Sequence, residues 1–420
     1  MKKMIASAGW VALGTAALHA AYVPGLTSME TSKSWSVSAS LRGFYDDNYA
    51  ALPSSSPGKK SSFGMEIRPS VGLNVPLDRT LIEADYTYSL KNYWDRKNDP
   101  LVHYHEFQAR VSHQFSERYK MKLEDSFVYS QEPSLIDTVT QTTYRTGVNA
   151  YRNRAALSFD GKITERLGVE IGYENEWYDY LDSGPGSVSS QLDRWEHYFN
   201  IDPKWRFTES LTGLVGYKYG IVSYTSKEPI DNVPGALLAS VRDTTAHYLY
   251  GGVEYQFSTK LTVAARGGVQ LSRYENTGKD FLNPYVNISG TYTYLPGSYL
   301  QAGFRNDRAA TDLVGDSTNP ETVTLDQAAS TFYAYWAHKF TQKITGSLLG
   351  QVQYSSFQGG TYDGETETSY LLNLSVEYAL TKHFSAEFGY IYETLVAGSN
   401  ASFDRGYSRN QVYMGVRASY

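Results

Sequence analysis

The side chains of this chain that could bind or pair with other charged groups are charged residues at alternate positions. In residues 167–177, Glu170, Glu174 and Glu176 share one parity, and apolar or aromatic residues fill most of the other. Side chains of a β-strand point alternately to its two faces, so this spacing gathers the carboxylates on one face. Such a face can pair its charges across strands or hydrate a path for polar solutes. The spacing predicts strands with one charged and one apolar face.

No catalytic centre, metal site or cofactor site is indicated by these residues. The chain has no Cys, which excludes disulfides, thiolate zinc sites, iron-sulfur clusters and thiol nucleophiles. His103 and His105 form a His-x-His pair beside Glu106, but no further ligands are identifiable nearby. Ser, His and Asp are scattered without a hydrolase or nucleotide-binding motif. We expect no enzyme activity and no cofactor, and the net charge of -6 gives no basis for a nucleic-acid partner.

The alternation recurs along the whole chain between short polar turns. Further alternating segments are 63–75, 107–115, 151–159, 195–207, 247–257, 261–271, 344–354, 370–380, 384–392 and the C-terminal NQVYMGVRASY. The turns, each an apolar residue, a Ser or Thr, two mostly polar residues and another apolar residue, are FSERY at 115–119, ITERL at 163–167, FTESL at 207–211, FSTKL at 257–261, FTQKI at 340–344 and LTKHF at 380–384. This repetition indicates a unit of two strands with a tight turn at one end.

Longer loops rich in Ser, Gly, Pro, Asp and Asn separate the two-strand units, at 47–61, 181–191, 226–243, 310–327 and 397–408. Tight turns on one side and long loops on the other are typical of outer-membrane barrels. We therefore predict an all-β fold for residues 34–420. It is a transmembrane antiparallel up-and-down β-barrel of about eighteen strands (16–18), with short periplasmic turns and long extracellular loops. A β-propeller is the alternative, but its inner strands would read as near-continuous apolar runs.

The N-terminus has the pattern of an export signal. Lys2 and Lys3 precede a mostly apolar or small run from Met4 to Leu18, and small residues follow. We interpret residues 1–20 as a removed Sec signal peptide and 21–33 as a short periplasmic segment. An N-terminal membrane anchor is the alternative, although the run is shorter than the ~20 apolar residues of a spanning helix. The expected location is the bacterial outer membrane.

The C-terminus carries a resemblance to a known signal. Gly415, Ala418 and Tyr420 resemble the C-terminal motif by which Gram-negative assembly machinery recognises barrels, with Ala418 where a bulkier residue is usual. The chain from about residue 33 onward is similar to β-barrel porin families of Gram-negative outer membranes that have no plug domain. The resemblance implies a transport-like role, with outer-membrane lipid and the barrel-assembly machinery as partners.

The polar face of such a barrel would line a water-filled lumen. Both charge signs occur there in comparable number, which favours weak ion selectivity over one dominant ring of charge. The residues predicted to line the lumen are Arg42, Glu66, Arg68, Glu83, Asp85, Glu106, Arg110, Arg152, Arg154, Glu170, Glu174, Arg194, Arg206, Lys218, Glu254, Arg266, Arg305, Glu377, Glu387 and Arg417.

These patterns favour a porin-like channel for passive, weakly selective diffusion of small hydrophilic solutes. One alternative is a channel for carbohydrate or exopolysaccharide, with inward tyrosines as stacking surfaces: Tyr198, Tyr248, Tyr250, Tyr285, Tyr333 and Tyr335. Another is a structural or adhesive surface barrel with a blocked lumen. Loops 132–150, 226–243 and 310–327 are the candidates for narrowing the lumen, and the sequence leaves monomer and oligomer open.

Overall fold

Eighteen antiparallel strands form one sheet in this chain. The computed structural model describes residues 34–53, 56, 58–97, 99–131, 134–136, 143–145, 148–398 and 405–420. The predicted signal peptide (1–20) and periplasmic segment (21–33) lie outside the described residues. No helix in the described part of the chain has the length and apolar character needed to cross a membrane.

The barrel strands run for 12–17 residues, which is longer than the 9–11 that a tilted bilayer crossing needs. Their bounds are β1 (Trp35–Asp46), β2 (Ser62–Pro76), β3 (Thr80–Tyr93), β4 (Leu101–Gln114), β5 (Tyr119–Ser130), β8 (Ala150–Lys162), β9 (Leu167–Tyr180), β10 (Arg194–Arg206), β11 (Leu211–Tyr224), β12 (Thr244–Gln256), β13 (Leu261–Tyr274), β14 (Lys279–Leu295), β15 (Ser298–Ala309), β16 (Asp326–Lys339), β17 (Ile344–Gln358), β18 (Thr366–Ala379), β19 (Phe384–Ala397) and β20 (Tyr407–Ser419). A small hairpin of β6 (Ser134–Ile136) and β7 (Thr143–Arg145) lies between β5 and β8, and a short helix, α1 (Val188–Leu192), follows β9.

The first and last strands close the sheet into a barrel. Each strand pairs with its neighbours in sequence, except that β5 pairs with β8 across the small hairpin. Strand β1 pairs with both β2 and β20. At this seam the Tyr420 amide donates to the Val37 carbonyl at 2.9 Å, and the Val37 amide donates back at 3.3 Å. The predicted up-and-down barrel of about eighteen strands is confirmed.

The two ends of the barrel differ in the length of their connections. At one end, called the turn end, β2–β3, β4–β5 and six other pairs are joined by two to four residues, and β20 also ends there. At the other, the loop end, the connections reach 19 residues, as in 225–243. The predicted division into short turns and long loops is therefore present.

Ser and Thr side chains shape the short turns. In ITERL, the Ile163 amide donates to the Leu167 carbonyl at 2.9 Å, and Thr164 Oγ1 accepts from the amides of Leu167 at 2.9 Å and Arg166 at 3.2 Å. FTESL repeats the arrangement, because Thr208 Oγ1 accepts from the Leu211 amide at 3.0 Å. The hydroxyl satisfies main-chain donors that the reversing chain would otherwise leave to water. This explains the Ser or Thr at the second place of the repeated motif.

Residues of one parity form an apolar outer wall. Val215, Met414 and Leu282 are 63%, 67% and 70% exposed, as expected for side chains that face hydrocarbon. Exposed aromatic residues gather at the turn end, where an interfacial girdle is expected: Trp35, Phe207, Phe257, Phe384 and Tyr420.

Inner glycines make room for aromatic rings on the next strand. A Cβ added to Gly216 would lie 2.1 Å from the ring of Tyr250, which is its register partner. Gly389 faces Tyr413 in the same way, also at 2.1 Å. Because a glycine has no side chain there, the neighbouring ring packs against the wall.

A buried ion pair stabilises the barrel seam on its inner face. Arg409 of β20 donates from Nη2 to Asp46 Oδ2 of β1 at 2.7 Å and from Nε at 3.1 Å. The Gln411 amide also donates to Asp46 Oδ2, at 2.8 Å. Both charged side chains are almost fully buried. The pair joins the two strands whose pairing closes the sheet.

We expect Asp46→Ala to lower the free energy of unfolding by about 3 kcal/mol, because removing one partner of a buried pair leaves the other charge poorly compensated. The control is Asp280→Ala, which removes the exposed pair with Arg273 and should cost about 0–1 kcal/mol. Urea unfolding of the protein in lipid vesicles measures both values. Equal losses in the two variants would contradict this role for the seam pair.

Candidate functional site

All twenty residues predicted to line the lumen lie on the inner face of the barrel. The strand register gives them one parity, opposite to that of the exposed apolar wall. Each of them is buried or half-buried, and none is exposed. Seven of the twenty surround one cavity: Arg42, Glu83, Asp85, Arg110, Glu377, Glu387 and Arg417. Their part in conduction stays a prediction.

The cavity, called the vestibule here, occupies about 440 Å³ inside the barrel toward the turn end. The part of the vestibule nearest the turn end is lined by Gly297, Thr345 and Gly346, which lie in or next to short turns. Its inward-facing charges are five carboxylates, which include Glu124, and three guanidinium groups. The vestibule therefore has a negative balance of charge.

Two arginines of the vestibule are held between carboxylates. Arg42 Nη2 lies 2.7 Å from Glu387 Oε2, and its Nη1 lies 3.4 Å from Glu66 Oε2. Arg110 bridges Glu83 at 3.2 Å and Glu124 at 2.9 Å. These pairs neutralise much of the wall on either side of the seam.

Asp85 and Glu377 differ from the other vestibule carboxylates. Among the residues that the structure describes, neither has a hydrogen-bond or ion-pair partner. Glu377 lies opposite Glu387 in the strand register, and Arg42 contacts only Glu387 of these two. Asp85 and Glu377 are therefore the two vestibule carboxylates that have no paired cation among the described residues.

Further ion pairs lie on the inner wall of β8–β13. Lys204 bridges Glu170 at 2.7 Å and Glu254 at 3.1 Å. Nearer the loop end, Arg154 pairs with Glu174 and Arg194 with Glu196, the latter at 2.7 Å. Arg154 and Arg194 are almost completely buried, which shows that neighbouring groups cover them. The inner wall is thus more densely packed there than in the vestibule.

The inward tyrosines predicted to stack on carbohydrate are mostly covered. Tyr248, Tyr250, Tyr285 and Tyr333 are only 2–6% exposed. Lys218 lies over this group, with Nζ 4.0 Å from the ring centre of Tyr248. Rings that pack against the wall and a resident cation offer little surface for a sugar. This geometry favours the ion-paired channel over a carbohydrate track.

The loop ends of β15 and β16 bend into the lumen. The pairing of β15 with β14 extends only to Asn306, whereas its pairing with β16 continues to Ala309. Arg308, which strand parity assigns to the outer wall, is instead buried against the Phe281 ring and pairs with Asp326, with Nε 2.6 Å from Oδ2. Tyr274 of β13 also donates to Asp326. The β15–β16 end therefore overlaps the inside of the neighbouring strands.

Three long connections pack together at the loop end and are called the loop cluster: 181–193, 225–243 and 310–325. Ile230, Ala239 and Val323 form its apolar centre and are completely buried. Main-chain contacts join the connections, since the Gly186 amide donates to Pro229 at 3.0 Å and the Leu237 amide donates to Ser317 at 2.9 Å. Loops 226–243 and 310–327, two of the three predicted to narrow the lumen, belong to this cluster. Loop 132–150 lies largely outside the described residues.

Two arginines stabilise the loop cluster: one joins its three connections to each other, and the other joins the cluster to the barrel. Arg242 is buried, donates to the carbonyl of Thr311 at 3.1 Å and donates to that of Gln191. Burial lowers the pKa of its guanidinium. Arg405, just before β20, pairs with Asp312 at 2.8 Å and with Glu367 of β18 at 3.3 Å. Ion pairs therefore attach the loop cluster to the β18–β20 side of the mouth.

Sequence reasoning missed these loop contacts. Arg242, Asp312 and Arg405 lie outside the alternating segments, and Arg308 and Asp326 have the parity of the outer wall. No spacing rule joins residues from different loops. One signal in the sequence could have indicated the contact between Arg308 and Asp326. Each is a charged residue at the loop end of a strand face that is otherwise largely apolar.

His103 and His105 lie on the outer face. Their Nδ1 atoms hydrogen-bond to the hydroxyls of Tyr88 and Tyr86, each at 2.8 Å. The described residues hold no group of three or more His, Asp and Glu side chains arranged to bind a metal.

The predicted assembly residues lie at the barrel seam. The Tyr420 ring packs on Trp35 with ring centres 5.5 Å apart, and Ala418 pairs with Ala39. A Cβ at Gly415 would lie 2.3 Å from the Leu41 carbonyl, so this glycine also has a packing role. Recognition by assembly machinery stays a prediction.

A closed barrel with an apolar outer wall and a charged interior defines an outer-membrane β-barrel protein. The family model described as "Putative beta-barrel porin 2" matches residues 35–420. The chain belongs to this family, and the predicted relationship to β-barrel porins is confirmed. The turn end is accordingly periplasmic and the loop end extracellular.

Among solved structures, the chain is similar to the outer membrane protein OpdK from Pseudomonas aeruginosa, with 9% identity over 92% of this chain and 99% of that one, at a TM-score of 0.42. It is similar to OccAB3 from Acinetobacter baumannii, with 8% identity, the same coverages and the same TM-score. The siderophore receptor PirA from P. aeruginosa shows 10% identity over 91% of this chain and 80% of that one, at a TM-score of 0.41. A search of curated proteins returned no match.

We expect Arg405→Ala to raise the fraction of time in the highest conductance state, because it removes the pairs to Asp312 and Glu367 that attach the loop cluster. Single-channel recording in a planar bilayer measures this fraction. Arg273→Ala, which loses an exposed pair at the loop end of β13, is the matched control and should behave as wild type. A conductance record identical in Arg405→Ala and wild type would contradict a restricting role for the cluster.

We expect the 181–193 loop to open more at neutral than at acidic pH. Burial raises the pKa of Asp193 to about 6 from its usual 3.8. The closed loop therefore binds the proton more tightly than the open loop, so its stability is greatest below pH 3.8 and is lost as the pH rises through about 6.

Hydrogen exchange at the Tyr180 amide, which donates to Asp193 Oδ1 at 2.8 Å, reports this opening after correction for the intrinsic rate. Protection should be lower at pH 7.5 than at pH 5, and Asp193→Asn should remove the difference. Protection that rises with pH in wild type would contradict the assignment.

Proposed function

We propose that this protein is a channel for passive, weakly selective diffusion of small hydrophilic solutes across the outer membrane, with a preference for cations. Membership of a β-barrel porin family supports the channel role. The observation that carries the proposal is the vestibule, where five inward carboxylates face three guanidinium groups. Its open volume gives a solute access from the periplasmic end.

Pairing of opposite charges supports weak selectivity. Arg42 and Arg110 each pair with two carboxylates, and Lys122 also pairs with Glu124 at 2.7 Å, so these four carboxylates all have a cationic partner. Asp85 and Glu377 are the exceptions described above. Their charge raises the local concentration of cations and sets the sign of the preference.

Ion pairs between loops support a restricted extracellular entrance. Arg405, Asp312 and Glu367 attach the loop cluster to the β18–β20 side; both carboxylates are buried and the arginine is 21% exposed. A solute would pass when this contact is released. The structural alternative, a surface barrel with a blocked lumen, requires that the cluster never releases.

The reversal potential under a salt gradient tests the selectivity. Wild type should show a small potential of the sign set by cation preference. The double variant Asp85→Asn, Glu377→Gln keeps side-chain shape and should move the potential toward zero. Glu321→Gln, at a 66% exposed loop side chain, should leave it unchanged.

Four outcomes would count against the proposal. An anion preference in wild type would contradict the role of the vestibule charge. An unchanged potential in the double variant would place selectivity elsewhere. Absence of conductance from a folded barrel, in wild type and in Arg405→Ala, would favour the blocked surface barrel, and current block by oligosaccharides would favour the carbohydrate channel.

A further inference from the structure

A polar patch interrupts the apolar outer wall at the depth of the membrane core. Asp125 faces outward at the middle of β5, about halfway across an apolar band of about 25 Å. The strand register directs five other Asp, Glu, Lys or Arg side chains outward from the described strands. Each of them lies at the loop end of its strand or one residue from it: Asp179, Arg273, Asp280, Arg308 and Asp326. Asp125 is therefore the charged residue of the described outer wall at this depth.

Three polar residues on the next strands complete the polar patch, which consists of Asp125, Asn153, Asn175 and His197. The Asn153 amide donates to Asp125 Oδ2 at 3.0 Å. Asn175 donates to the main-chain carbonyl of Glu196 at 3.1 Å and lies 3.2 Å from His197 Nδ1. The patch thus has one polar member on each of the four adjacent strands β5, β8, β9 and β10.

Hydrocarbon is an unfavourable environment for this patch. Lipid tails provide neither donors for the second oxygen of Asp125 nor acceptors for the remaining amide hydrogen of Asn153. Polar side chains at this depth on other proteins face protein or water, because only those surroundings satisfy them. A protein surface over the patch would remove this cost.

A second copy of this chain has the matching chemistry at the matching depth. A two-fold axis along the membrane normal places the patch of one copy against that of the other, since both copies insert to the same level. The patch is self-complementary, because Asn153 supplies donors and Asp125 supplies acceptors. Ala109 and Ala155 flank Asp125 in the strand register. Because their side chains are small, the outer walls of two copies can approach closely at this place.

Exposed apolar residues around the patch extend the possible contact area. Leu123, Leu157 and Ile171, on the turn-end side of the patch, are 41–50% exposed. On the loop-end side the rings of Trp177 and Trp195 stack with centres 5.8 Å apart. The outer wall of β13 and β14, around Val269 and Leu282, is apolar at this depth and has no comparable polar group there in its described part.

We propose that two copies of this chain associate in the membrane through the outer wall of β4–β10, with the polar patch at the centre of the contact. This inference does not depend on the proposed channel function. It makes the protein a dimer of barrels, each with its own lumen.

Disulfide trapping tests the contact, because the natural chain has no Cys. Ala155→Cys places a thiol within the patch, and Val269→Cys, on the outer wall of β13 and outside the proposed contact, is the matched control. Mild oxidation in native outer membranes should give a cross-linked dimer for Ala155→Cys and none for Val269→Cys. Equal cross-linking of the two variants, or none in either, would overturn the proposal.

A second measurement separates loss of association from loss of folding. Adding Asp125→Leu and Asn153→Leu to Ala155→Cys should abolish the cross-link while the heat-modifiable mobility of a folded barrel remains. Photobleaching of the singly labelled wild-type chain in dilute liposomes should show two steps per particle. A single step, or a patch variant that cross-links as before, would overturn the dimer. A single step with retained lipid would assign the patch to a bound lipid instead.

Discussion

The need to satisfy every main-chain hydrogen bond within the bilayer determines most of this structure. In hydrocarbon no water is present to hydrogen-bond the main chain of an edge strand, so the first and last strands of the sheet must pair with each other. The β1–β20 pairing meets this requirement, and the buried Asp46–Arg409 pair strengthens it. Once the sheet is closed, alternation along each strand separates an apolar wall from an enclosed polar surface. The lumen is therefore a consequence of closure.

The enclosed surface then has to satisfy its own charges. On the inner wall nearer the loop end the charges are paired and buried, as Arg154 and Arg194 are. The vestibule is less densely packed, so Asp85 and Glu377 remain without a partner among the described residues. The same physical rule thus gives a loop half with paired, buried charges and a periplasmic half whose vestibule keeps two carboxylates without a paired cation. We infer function from this contrast between the two halves.

Sequence patterns predicted the barrel and its inner face because both follow from a local period of two. The turn motif was also readable, since Thr164 and Thr208 act on amides two or three residues away. The loop cluster was not predictable in the same way. Its contacts, such as Arg405 with Asp312, join residues that only the closed barrel brings together. Strand parity alone does not place Arg308 and Asp326 correctly, because the β15–β16 end bends inward. The covered tyrosines were correctly predicted to face inward, but their burial depends on glycines on the neighbouring strands.

We propose a channel that is open toward the periplasm and restricted by loops on the extracellular side. Polymer exclusion tests it most directly, with polyethylene glycols of graded size added to one side of a planar bilayer that contains oriented single channels. The largest polymer that still reduces conductance should be larger when it is added on the periplasmic side than when it is added on the extracellular side. An equal size limit from both sides, or a larger limit from the loop side, would contradict it.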